Sequence, residues 1–198
     1  PDKTDIFKLE MEDKKKGYYK FDNEVLKLNT YKAKLNYRLF GLFKIKIKKK
    51  FYKSIYGPTL KNKNGFYSVR TPSLFNIGGL EQWWRMGKSR TFTEFYNVLK
   101  SKQIPGYNIV YADKNDTIFY ISNGLIPKRT KGFDWKEAVP GNTSETLWKE
   151  TYDIDELPQV IQPSSGYVYN ANHSPFLSTD EQKKPKKNMF ADEMNFET

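Results

Sequence analysis

The sequence predicts an α+β fold, rich in strands, with one main short helix near residues 91–102. Three observations carry that expectation. Asp5 to Glu10, Gly17 to Phe21 and Leu35 to Lys53 alternate apolar with polar residues or are rich in β-formers, the period-two signature of strands. Thr91-Phe92-Thr93-Glu94 fits a capping box, and Phe92, Phe95, Tyr96 and Leu99 follow at helical spacing. Tyr107 to Ala112 and Thr117 to Ser122 flank Asp113-Lys114-Asn115-Asp116, the pattern of a hairpin closed by turn formers.

Taken in order, the early strands form a meander whose turns are signalled by Asp22-Asn23 and Asn62-Lys63-Asn64-Gly65. The helix that starts at Thr91 ends near Lys102, because Pro105 bars its continuation. Trp148 to Pro163 is expected to wrap back to the sheet as a loop pinned by Leu157-Pro158 and Pro163, with Asp153, Asp155 and Glu156 exposed. Residues 1–178 are expected to form a single domain. After Ser178 the composition turns polar, so residues 179–198 are predicted to be a weakly ordered tail.

At 198 residues the chain is long enough for one core. It has no run of eighteen apolar residues to span a membrane and no cysteine for disulfide or thiol chemistry. The start, Pro-Asp-Lys-Thr-Asp, lacks the apolar stretch of a signal peptide. The net charge of +11 invites a nucleic-acid reading. Its lysines concentrate in Lys44 to Lys53 and Lys183 to Lys187. In the first run Phe43, Ile45 and Ile47 alternate with Lys44, Lys46 and Lys48, the pattern of a strand with one wet face, and edge strands carry lysine to resist pairing. The second run has the composition of a solvated loop. No nucleic-acid partner is therefore expected. The rival class is a basic, aromatic-rich binding or scaffold domain that contacts anionic polymers through Lys44 to Lys53.

Chemistry-bearing residues are few. In Tyr169-Asn170-Ala171-Asn172-His173-Ser174-Pro175, the two asparagines can cap a turn before Pro175, or can present an uncharged N–H donor to a developing oxyanion. His173 is the single histidine, but no G-x-S-x-G elbow accompanies it, and it is expected to be a bystander. Asp113 and Asp116 fit a solvated hairpin tip, and neither a metal nor a cofactor is expected.

Further segments stand in a fixed order: Ser54-Ile55-Tyr56-Gly57-Pro58; Gly65 to Arg70; Leu80-Glu81-Gln82-Trp83; Ile104 to Asp113; Gly124-Leu125-Ile126-Pro127-Lys128-Arg129; and Pro163-Ser164-Ser165-Gly166-Tyr167 leading into the Asn170 to Pro175 segment. In these segments and their order the chain resembles the penicillin acylase family, which includes acyl-homoserine-lactone and lipopeptide acylases, with Tyr56 where histidine is more usual. The resemblance implies an N-terminal-nucleophile (Ntn) hydrolase fold, of which this chain is an internal piece of the large catalytic (beta) subunit. It implies cleavage of linear amides by acyl transfer to an N-terminal serine, whose own α-amine is the base. Pro1 has neither the hydroxyl nor the primary amine, so that serine is expected in another segment of the same precursor, and this chain alone is expected to be inactive. By the same resemblance Asn172 is the oxyanion donor, Trp83 lines the acyl cavity, and Gly106-Tyr107 occupies a second wall. Relatives bind calcium through acids partly upstream of Pro1, which leaves Asp180 as a faint candidate ligand. Periplasmic or secreted localisation is likewise implied. One departure stands out: relatives place an arginine roughly twenty residues after the oxyanion asparagine, and no arginine follows Arg129 here.

Overall fold

The computed structural model describes residues 4–40, 43–180 and 184–194. Pro1, Lys183 in the second basic run, and the last four residues of the expected tail lie outside them. In chain order the strands are β1 (Asp5–Lys8), β2 (Met11–Asp13), β3 (Tyr18–Phe21), β4 (Glu24–Lys27), β5 (Asn29–Leu39), β6 (Phe43–Lys53), β7 (Pro58–Asn62) and β8 (Gly65–Arg70). Helices α1 (Gly79–Lys88) and α2 (Phe92–Leu99) follow, then β9 (Tyr107–Ala112), β10 (Ile118–Asn123), β11 (Val139–Pro140) and β12 (Gln159–Ile161). Chain contacts group these into two units. One comprises Thr4–Arg70 and Arg129–Trp148; the other comprises Thr71–Lys128 and Lys149–Thr198. Each unit is made of separated pieces of chain, so composition along the sequence marks no boundary between them where a single domain is expected.

The first unit holds a six-stranded sheet in the order β11-β1-β8-β7-β6-β5 and a three-stranded sheet β2-β3-β4. Both predicted turns are present. Asp22, at φ 51°, turns β3 into β4, and the Asn62 side chain accepts from the Asn64 N–H between β7 and β8. The core is aromatic: Phe7 and Tyr56 stack at 4.4 Å, and Tyr19, Phe66 and Trp148 surround them. Tyr56 is fully buried, and its hydroxyl donates to the Thr143 carbonyl at 2.7 Å. Burial pushes that phenol above its ordinary pKa. The next residue must be glycine, since Gly57 sits at φ 147° and a Cβ there would lie 2.3 Å from the Val69 carbonyl oxygen.

Asp5 is the buried charge of this unit. It accepts from Arg129 Nη2 at 2.6 Å and Nε at 3.1 Å, and from the Trp148 indole N–H at 2.8 Å. The Arg70 guanidinium lies 4.4 Å from the Trp148 ring. A carboxylate taken out of water survives only when paired and fully hydrogen-bonded, and the fork of Arg129 meets that need.

The Leu35 to Lys53 region, read as one β-rich run, is an antiparallel ribbon of β5 and β6 that reverses after Leu39. Alternation predicted one wet face. Both are wet: Ile45 and Ile47 are exposed along with the lysines between them.

The second unit packs α1 and α2 with the antiparallel sheet β12-β10-β9. The predicted hairpin pairs Tyr107 with Asn123 through Ala112 with Ile118. The predicted helix is α2, and its hydrogen-bonded span stops at Leu99. Thr91 caps it by accepting from the Glu94 N–H, while Glu94 reaches back to the Arg90 N–H and not to Thr91, so the box is half made. Phe95, Val98 and Leu99 bury its inner face against Phe119 and Ile121. A second helix, α1, was not expected. It starts at Gly79 without a side-chain cap; Leu80, Trp83 and Trp84 stand at helical spacing, yet they are exposed, and the residues the helix buries are Gln82 and Met86.

The segment read as a loop after Trp148 contributes the edge strand β12, which pairs with β10 from Phe119 to Ile121. Its three acids are exposed yet partnered. The Lys102 ammonium beside Asp153, the Tyr96 hydroxyl on Asp155 and the Asp153 N–H on Glu156 hold all three carboxyls below their usual range. Residues 179–198 were expected to hang loose. Among those described, Met194 is buried in the core of this unit and Phe190 packs on Phe176 at 6.0 Å.

Two expectations follow. Asp5→Asn leaves the Arg129 charge buried without its counter-ion and should lower unfolding free energy by about 3–5 kcal/mol, read from urea melts of the whole protein. Because Asp153, Asp155 and Glu156 have folded pKa values below their unfolded ones, their contribution is complete above the unfolded carboxylate range and fades as pH drops below about 4. The urea midpoint should fall there, and less steeply in Asp153→Asn.

Candidate functional site

The stretch from Pro163 to Thr179 is a loop closed on itself. Gly166, at φ 75°, donates its N–H to the Pro163 carbonyl and makes the entry turn. The Tyr169 N–H bonds the Ser178 carbonyl at 3.0 Å. The Thr179 hydroxyl bridges the Tyr167 carbonyl at 2.9 Å and the Ser165 hydroxyl at 2.8 Å. At the far end Pro175 opens a single 3₁₀ turn, Pro175–Leu177, for which Ser174 is the N-cap.

Inside that closure the Asn170 carboxamide oxygen accepts the Asn172 N–H at 3.1 Å, an Asx turn. It holds Asn172 at φ 59°, in the left-handed region that asparagine tolerates better than most residues. Asn172 is exposed, and its side-chain amide makes no hydrogen bond among the described residues. The loop thus presents an uncharged double donor on a backbone fixed by its neighbour.

His173 is turned the other way. Its Nδ1 lies 2.9 Å from the Ser174 carbonyl oxygen, which can only accept, so Nδ1 carries the proton and Nε2 is an acceptor. Nε2 is buried without a hydrogen-bond partner among the described residues, as are Asn170 Nδ2 and Ser178 Oγ. The ring meets Tyr169 edge-on at 4.6 Å.

Trp83 and Tyr107 are brought together. Trp83 lies on α1 and Tyr107 opens β9; their rings sit 5.8 Å apart at 71°, and each residue is 48% exposed. The cause is Gln82, which sequence reasoning passed over. Its buried carboxamide oxygen accepts from the Gln103 N–H at 2.6 Å and the Ile104 N–H at 3.1 Å. Those bonds fix the rotation of α1 against the strand leading to Gly106-Tyr107. Gln82 stands inside the quoted Leu80 to Trp83 motif, but its role depends on partners more than twenty residues away. No hydrogen bond or ring contact among the described residues joins the aromatic pair to Asn172.

The hairpin-tip acids are used locally. Asp113 accepts from the Asn115 and Thr117 N–H groups and from the Tyr111 hydroxyl at 2.8 Å. Burial and that bond push Tyr111 up to about 12. Among the described residues no group of three or more histidines, cysteines or acids could hold a metal ion, and Asp180 has no such company.

The frame that carries these residues is known. The thermostable penicillin G acylase from Alcaligenes faecalis, in its orthorhombic form, matches with a TM-score of 0.75 at 22% identity, over 94% of this chain and 34% of that one. The α+β fold is therefore that of part of a penicillin acylase. In sequence, the penicillin amidase family profile covers residues 1–194, and the chain belongs to that family. The penicillin G acylase of Escherichia coli is 26% identical over 174 residues, which is 88% of this chain and 20% of the relative. The penicillin acylase 2 proenzyme of Pseudomonas sp. (strain SE83) is 26% identical over 103 residues, 48% of this chain and 13% of that protein. The chain thus spans about a fifth or less of the length of these relatives.

Gln82→Leu deletes the acceptor of two backbone N–H groups and should cost about 1–3 kcal/mol. It should also shift Trp83 fluorescence as the ring loses its place beside Tyr107. Unchanged emission with unchanged stability would mean that α1 is held by other contacts.

Proposed function

We propose that this chain is the part of an amide hydrolase that supplies the oxyanion donor and one wall of the acyl pocket, working with a nucleophile from another segment of the same precursor. The observation that carries the proposal is Asn172: a side-chain amide with no hydrogen-bond partner among the described residues, on a left-handed residue locked by the Asn170 Asx turn.

The chemistry follows from what an amide demands. Attack by a serine hydroxyl on the amide carbon puts a full negative charge on the carbonyl oxygen, while the hydroxyl proton passes to the serine's own α-amine. Asn172 offers an N–H to that oxyanion. An amide carries no charge that must be stripped of water, and its loop is set before the substrate arrives, so the bond strengthens as charge develops. Collapse breaks the C–N bond, and the α-ammonium returns its proton to the leaving amine. Water then repeats the sequence on the acyl-enzyme ester. Trp83 and Tyr107 offer an apolar slot to the acyl chain. Substrates are linear amides of the penicillin, N-acyl-homoserine-lactone or lipopeptide type, met in the periplasm or outside the cell.

The need for other segments has support within the loop. Asn170 Nδ2, His173 Nε2 and Ser178 Oγ are buried without partners among the described residues, a costly state that docking of further chain would relieve. The set asks for an acceptor at Asn170 and a donor at His173.

In the complete processed enzyme, Asn172→Ala should lower kcat by roughly two to three orders of magnitude with KM nearly unchanged, since the lost bond acts on the transition state. Asn172→Asp should be at least as damaging. His173→Ala should change kcat by less than about tenfold, and Trp83→Ala should alter the preferred acyl length. A silent Asn172 beside an essential His173 would overturn the assignment.

A further inference from the structure

The β5–β6 ribbon has two faces of opposite character, and among the described residues neither is covered. Its register runs from Asn29 opposite Lys53 to Leu39 opposite Phe43. β6 meets β7 only at Tyr52 and Lys53, so from Phe51 outward the ribbon is two strands wide, about 30 Å of it. Cross-strand partners share a face. One face places Lys32 opposite Lys50, Lys34 opposite Lys48 and Arg38 opposite Lys44. The other carries Tyr31, Leu35, Tyr37, Ile45, Ile47 and Phe51, each between 41% and 58% exposed. At the turn Phe40 is 86% exposed at φ 50°.

In water this arrangement is costly twice over. Like charges directly opposite one another repel, and among the described residues none of the six cations in those pairs forms an ion pair. A two-stranded ribbon gains little from its own pairing and needs its apolar face covered. The segment from Asn29 to Lys53 contains no acid at all. Its partner must therefore bring negative charge and apolar cover together.

We propose that the ribbon is a docking element for anionic lipid bilayers. The apolar face and Phe40 enter the boundary between headgroups and acyl chains, and the cations meet lipid phosphates. An acidic protein surface would neutralise one face and leave the other, with its apex phenylalanine, in water. A bilayer interface offers phosphate and hydrocarbon within a depth of about 5–10 Å, comparable to the ribbon's thickness. Arg38 and Lys44 stand next to the apex, at the level the phosphates occupy when Phe40 is inserted. Lysine stems are long enough to lie along the apolar side and keep their ammonium groups at the headgroups. Tyr31 and Tyr37 suit the same boundary, where amphipathic rings collect. The element rests on the membrane without crossing it.

The test uses the complete processed enzyme and flotation with vesicles of phosphatidylcholine alone or mixed with phosphatidylglycerol in equal parts. Binding is expected to the mixed vesicles only, and to fall as salt rises from about 0.1 to about 1 M. Lys44→Glu with Lys48→Glu should weaken it by roughly tenfold or more, since each lysine at an anionic surface matters on that scale. These changes put opposite charges across from Arg38 and Lys34, so the ribbon is expected to hold its structure and amide hydrolysis to be unchanged. Phe40→Asn suits the left-handed turn and should weaken binding without unfolding. No flotation with the mixed vesicles at low salt would overturn the proposal. Capture by immobilised polyglutamate in place of vesicles would reassign the ribbon to an acidic protein partner.

Discussion

Three places where the chain passes between its units end on one buried carboxylate. Arg70, Arg129 and Trp148 are the residues of the first unit at those crossings, and Asp5 binds two of them while the third lies on the Trp148 ring. The planar fork of Arg129 satisfies the carboxylate in two bonds, and the guanidinium of Arg70 stacks on indole, geometries that an ammonium does not offer.

Much of the frame was legible because its elements are local. Asp22 and Asn62 to Gly65 turn the chain by their own side chains or φ values, and Thr91 caps α2 through a bond three residues long. What escaped was non-local or unpatterned. α1 buries a glutamine where an amphipathic helix would bury leucine, and its tryptophans stay in solvent. β12 has only three residues and depends on β10, forty residues earlier, for its pairing. The ribbon's period was read correctly as strand, but period alone does not say that a face is covered.

The candidate site divides the same way. The Asx turn that shapes Asn172 lies within its seven-residue stretch and was legible there as one of two readings of the asparagines; the oxyanion role came from the family resemblance. The meeting of Trp83 with Tyr107 was not legible from residue patterning, since it is set by Gln82 reaching two N–H groups on the far side of α2 in sequence. Family resemblance supplied both tryptophan and asparagine without supplying the glutamine that orients one of them. The histidine next to Asn172 has its ring orientation set locally, through Nδ1 on the Ser174 carbonyl of the next residue.

The interleaved pairing of β1 has a consequence for how the chain acquires its structure. β1 pairs early with β8, but its other edge waits for Val139 and Pro140 of β11, and Asp5 waits for Arg129 and Trp148. During synthesis the first strand therefore emerges well before the residues that neutralise its charge and cover its edge. Contacts of such long sequence separation close late and slowly, because the loop entropy must be met first. Until Trp148 has left the ribosome, the nascent chain carries an open strand edge beside an unmatched carboxylate, and that interval, more than any weakness of the finished fold, is when it is open to mispairing with its neighbours.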